Sequence, residues 1–128
     1  MRSMKRIIVC ILALGIIFTL ACGKTDGDLR GAVAGKTFVW EKEGCGGDFT
    51  ITLHADGTYQ YYECFLSSYI GFGDWTVEDG TVILTEQGGQ DSVYRFAVQD
   101  GALVYLADGS DNFLYVKASD GDRFLPAD

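Results

Sequence analysis

The sequence predicts an all-β fold, an antiparallel up-and-down meander of about eight strands closed into a small barrel, with a two-sheet β-sandwich as the alternative. Three observations predict it. Asp-Gly recurs at 56–57, 79–80, 100–101, 108–109 and 120–121, and both residues tolerate the positive φ of tight hairpin turns. Between these dipeptides lie short runs rich in Thr, Val, Ile, Tyr, Phe and Trp, with no sustained helical period. Finally, the turns imply registers that agree with one another.

A two-residue loop at Asp79-Gly80 sets Glu78 against Thr81, Val77 against Val82 and Trp75 against Leu84. Asp100-Gly101 sets Val98 against Leu103 and Phe96 against Tyr105. A loop over Ala55-Asp56-Gly57 sets Leu53 against Tyr59 and Ile51 against Tyr61. Each turn independently puts its large apolar residues on one face, which must then be buried.

In chain order, the first element is an export signal over residues 1–21. Arg2, Lys5 and Arg6 precede an apolar run from Ile7 to Leu20, and no acidic residue appears before Asp26. The run is shorter than the roughly 20 residues of a bilayer-spanning helix. Thr19-Leu20-Ala21-Cys22 resembles the lipobox of bacterial lipoprotein precursors. That resemblance implies a diacylglyceryl group on Cys22 and cleavage between Ala21 and Cys22. Thr19-x-Ala21 also suits ordinary signal peptidase at the same bond, and an uncleaved anchor is the third reading. Cys10 reads as a small apolar residue of the signal.

Residues 22–35 read as the lipidated Cys22 followed by a flexible tether. The domain proper, 36–128, is expected to hold strands near 37–42, 48–54, 58–65, 71–78, 81–86, 92–99, 102–107 and 112–117. Here the chain resembles the small lipocalin-like barrels of bacterial lipoproteins. The resembling residues are Phe49, Ile51, Leu53, Asp56-Gly57 and Tyr59, then Gly73, Trp75, Val77, Asp79-Gly80, Val82 and Leu84.

Cys45 and Cys64 remain once Cys22 is assigned to lipid. Export implies an oxidising compartment, where leftover cysteines pair. In the register above Cys64 opposes Asp48, three residues from Cys45, so Gly46-Gly47 can close a structural bridge. Two free buried thiols, or a redox or metal role, are the alternatives. His54, the only histidine, lies on the solvent face beside the Asp56-Gly57 turn without the partners a triad or zinc site needs. Asp108-Gly-Ser110-Asp111-Asn112 alternates oxygen ligands. An EF-hand loop would need Gly and Glu where this chain has Phe113 and Ser119. No metal and no cofactor is expected.

Sixteen of the 107 residues beyond position 21 are aromatic. The plain reading is a barrel filled with rings. The sharper one is a ligand pocket lined by Trp40, Tyr59, Tyr61, Trp75, Tyr94 and Tyr105, with Glu63 as its polar anchor. Val104, Leu106 and Ile83 fall on the outer face and form a candidate partner surface.

The 107 residues carry 7 basic and 18 acidic side chains, a net of −11, which disfavours nucleic acid and anionic headgroups as partners. The leading expectation is a non-enzymatic lipoprotein, held on the cell membrane facing outward, that binds an envelope protein or a small apolar ligand. A carboxylate enzyme using Glu41 and Glu63, or a purely structural envelope component, are the rivals.

Overall fold

A computed structural model describes residues 25–43, 46–63, 69–88 and 91–127. Eight antiparallel strands close a barrel in which each pairs with its neighbours in sequence and β1 meets β8. They are β1 (Lys36–Trp40), β2 (Thr50–Leu53), β3 (Thr58–Tyr62), β4 (Ile70–Glu78), β5 (Thr81–Glu86), β6 (Val93–Gln99), β7 (Ala102–Leu106) and β8 (Arg123–Pro126). A short helix, α1 (Asp26–Val33), precedes them.

The registers expected from the three turns are those observed. Trp75 faces Leu84 and Val77 faces Val82. Phe96 faces Tyr105, and Ile51 faces Tyr61. Asp79 and Gly80 have φ of 50° and 77°, and Asp100 and Gly101 have 50° and 80°. Two successive positive φ values match the right-handed twist of the flanking strands. At Gly73 a Cβ would lie 2.0 Å from the Thr85 carbonyl oxygen, so only glycine lets β4 and β5 approach so closely there.

Two sequence expectations need correction. Residues 112–117 do not form the closing strand; that place belongs to Arg123–Pro126, which pairs with both β7 and β1. Along the expected strand the buried residues are Phe113 and Val116, while Leu114, Tyr115 and Lys117 are exposed. That spacing is not the alternation of a strand, and the segment instead crosses the barrel mouth. The second correction concerns the tether. From Thr25 onward it is ordered, because Thr25 and Asp28 form a reciprocal capping box that starts α1. Asp26 then accepts hydrogen bonds from the N–H groups of Asp79 (3.0 Å) and Gly80 (2.9 Å), and Val33 is buried in the core.

The core is a mesh of rings. Phe113 stacks on Tyr94 with centroids 4.2 Å apart, and meets Phe49 edge-on at 4.9 Å and Tyr61 at 5.2 Å. Phe124 packs edge-on against Phe49 at 5.0 Å and Phe96 at 5.6 Å. Edge-to-face and offset geometries align the positive ring edge with the negative face, adding about 0.5–1.5 kcal/mol per pair beyond burial.

Candidate functional site

The up-and-down topology makes the two barrel ends unlike. One end carries the tight turns at Asp56-Gly57, Asp79-Gly80 and Asp100-Gly101, and α1 docks on it. The other end carries every longer connection: 41–49, 63–69, 87–92 and 107–122. Chemistry gathers at this second end, the mouth.

Along β5, Val82, Leu84 and Glu86 alternate inward, so the strand that builds the core also delivers a carboxylate to the mouth. Glu86 is 7% exposed. Its Oε1 accepts from the hydroxyls of Tyr61 (3.2 Å) and Tyr94 (3.0 Å), and its Oε2 accepts from Tyr69. Gly71 makes room for this arrangement, since a Cβ there would lie 2.1 Å from the Tyr61 ring. The hydrogen bond to Glu86, followed by burial, pushes the Tyr69 hydroxyl up to about 12. Burial pushes Tyr94 up to about 12 as well. The phenols therefore stay protonated and donate. A cleft of about 250 Å³ opens onto this cluster, lined by Tyr69, Glu86, Gly88, Ser92, Tyr94, Asn112 and Leu114. Leu114 is 60% exposed and Phe72 53%, and Gly88, in the cleft wall, lies beside the Phe72 ring. A larger hollow of about 540 Å³ at the turn end is walled by Gly35, Lys36, Thr37, Pro126 and Ala127 and holds no acid or aromatic ring.

Glu63 continues the inward alternation of Tyr59 and Tyr61, and it is fully buried. It accepts the N–H groups of Leu114 (3.0 Å), Tyr115 (2.8 Å) and Val116 (2.7 Å). Burial raises its carboxyl above the ordinary value, partly offset by those three donors. Glu63 thus straps the 113–116 segment across the mouth, and Phe113 enters the core as a plug.

The sequence-derived residues distribute as follows. Trp40, Tyr59, Tyr61, Trp75, Tyr94 and Tyr105 all converge in the interior, each 7% exposed or less. They pack on one another, and the pocket expected to reach Glu63 is filled by protein, with Phe113 among its rings. Tyr105 donates to the Asp111 carbonyl at 2.9 Å. The outer strip is not an open patch: Val104 is 9% exposed, and Ile83 and Leu106 are half-buried. Among the described residues, the exposed large apolar side chains are instead Ile70, Phe72, Leu114, Tyr115 and Leu125.

His54 is half-buried, and its carbonyl accepts the Trp75 indole N–H at 2.8 Å. Asp111 caps the Val93 N–H, and Asp120 caps the Ala107 N–H. Among the described residues no three His, Cys, Asp or Glu side chains gather as a metal site. Glu41 is exposed while Glu63 is sealed, so they present no shared surface to a substrate. Cys22, Cys45 and Cys64 lie outside the described residues.

Sequence reasoning missed Glu86 and the structural role of Asp122. Glu86 was signalled by the alternation along β5. Asp122 binds Lys42 Nζ at 2.8 Å, Trp40 Nε1 at 3.2 Å and the Ser119 N–H at 2.9 Å, a meeting of distant segments with no local signature. Burial raises the Asp122 carboxyl, but Lys42 and the other donors outweigh it and hold it below its ordinary value.

Fold and site define a small closed antiparallel barrel with a solid aromatic interior and a carboxylate–tyrosine cleft at its mouth. Compared with known proteins, the chain matches no family, no curated protein and no solved structure.

Proposed function

We propose that this protein is an extracytoplasmic lipoprotein, anchored to the membrane through Cys22, whose barrel is a non-enzymatic binding module that works at its mouth. The observation that carries this reading is the difference between the two ends. Asp26 fixes the start of α1 to the Asp79-Gly80 turn, and only three residue steps separate Cys22 from Thr25, a span of at most about 10 Å. An acylated Cys22 therefore holds the turn end against the membrane and points the mouth outward. The filled interior moves recognition away from an apolar ligand inside the barrel to the cleft and the exposed side chains around it.

Two acyl chains hold a soluble domain firmly where one gives only marginal binding. Cys22→Ala is therefore expected to release the protein from the membrane or leave it as an unprocessed precursor. Membrane fractionation with mass spectrometry of the N-terminus checks this; processed, membrane-bound Cys22→Ala protein overturns the anchor. The same mass spectrum of unreduced protein reads the Cys45–Cys64 bridge, a part of the proposal that rests on the cysteine arithmetic and export. That bridge would stabilise the fold by roughly 3 kcal/mol in the chain-entropy model.

A further inference from the structure

We propose that the cleft at the mouth binds a small organic ammonium ion, with Glu86 as its counter-charge. The inference rests on the reading of the barrel as a binding module but not on the Cys22 anchor.

The first argument is charge. Taking a carboxylate out of water is costly unless an opposite charge or a full set of donors replaces the solvent. Glu86 is 7% exposed, and the ion pair among the described residues, Lys42–Asp122, is at the same end but does not include it. Three phenol hydroxyls stabilise the carboxylate without neutralising it. They occupy three of its roughly four acceptor positions, leaving one for an incoming donor. Glu63 lies at the same end, near enough for the charge of Glu86 to add to the burial that raises the Glu63 carboxyl, so two carboxylates bring negative charge together there.

The second argument is the wall. Tyr69 and Tyr94 line the cleft beside Glu86; the Tyr94 ring is stacked on Phe113, so the half-buried Tyr69 is the ring left to attract a cation through its quadrupole. Ser92 and Asn112 in the same wall supply further polar side chains for an N–H donor. Leu114, 60% exposed at the rim, with Phe72 beside Gly88, offers apolar surface for an aliphatic or aryl arm. At about 250 Å³ the cleft falls just under the roughly 300 Å³ lower end of ordinary ligand pockets. The occupant is accordingly small: one ammonium head on a short apolar arm.

The third argument is incomplete pairing in the surrounding polar network. The Tyr59 hydroxyl is buried without a hydrogen-bond partner among the described residues, in a residue only 1% exposed. Its proton affinity is raised by burial first and then by the charge of Glu86. The interior near Glu86 is thus polar and incompletely paired, and a bound cation lowers the electrostatic cost of the buried carboxylate.

Titration of the full purified protein in mild detergent with benzylamine, followed by NMR or calorimetry, tests this. One-to-one saturable binding is expected below about 1 mM. Glu86→Gln is expected to weaken it at least tenfold, and benzoate should not compete. Should Glu86→Gln fail to fold, Leu114→Arg places a fixed cation at the exposed rim and is expected to abolish binding in a folded barrel. Equal binding of benzyl alcohol overturns the ammonium assignment while leaving a binding cleft. No saturable binding of either compound overturns the cleft as a site. The membrane fractionation of Cys22→Ala reads the anchor separately.

Discussion

The Arg30 guanidinium lies 4.2 Å from the centroid of the Trp75 ring, so the helix closes the turn end by covering an indole whose N–H is already committed to His54. Trp75 is 1% exposed although it sits near a barrel end. A residue from the segment before the barrel therefore supplies part of the core's lid.

This relationship predicts that Arg30→Ala lowers stability by about 1–2 kcal/mol, from the lost cation–π contact and the packing of its aliphatic stem. Asp26→Ala, which frees the Asp79 and Gly80 N–H groups, is expected to cost about 1 kcal/mol. Urea unfolding monitored by tryptophan fluorescence measures both. Amide exchange should show faster opening of α1 while β5 to β7 stay protected.

Glu63 and Asp122 predict opposite pH dependences. The Glu63 carboxyl is raised in the folded state, so its contribution is fully present below the ordinary 4.5 and is lost as pH rises through the folded value. The Asp122 carboxyl is lowered, so its contribution is present above the ordinary 3.8 and is lost as pH falls through the folded value. Stability curves from pH 2 to 8 check the signs. Glu63→Gln should remove the decline above 4.5, and Asp122→Asn should remove part of the decline in acid.

Two buried tyrosines should respond oppositely to loss of the hydroxyl. Tyr59→Phe removes a buried hydroxyl that has no hydrogen-bond partner among the described residues and is expected to leave stability unchanged or raise it by about 1 kcal/mol. Tyr61→Phe removes a donor to Glu86 and is expected to cost about 1–3 kcal/mol. Thermal unfolding of the two variants under one set of conditions decides it, and equal effects would contradict the hydrogen-bond assignment.

Much of the fold was legible in the sequence because its determinants are local. Asp-Gly at 79–80 and 100–101 dictates both turn shape and register, and alternation through Trp75, Val82, Leu84 and Phe96 dictates which face is buried. The same alternation carried Glu63 and Glu86 inward, so the presence of carboxylates at the mouth was encoded, although only Glu63 was singled out.

Segments with ambiguous local preference settle where long-range contacts place them. Residues 112–117 have strand-like composition, yet Glu63, some fifty residues earlier in the chain, draws their N–H groups across the mouth, and Arg123–Pro126 completes the barrel instead. The stretch beyond Thr25 has weak helical preference, and it is ordered by Asp26 and Arg30 reaching partners on β4 and its turn. The division follows from range. Side-chain alternation and turn dihedrals are properties of neighbours in the chain. The donors that satisfy a buried carboxylate come from wherever closure of the barrel brings them.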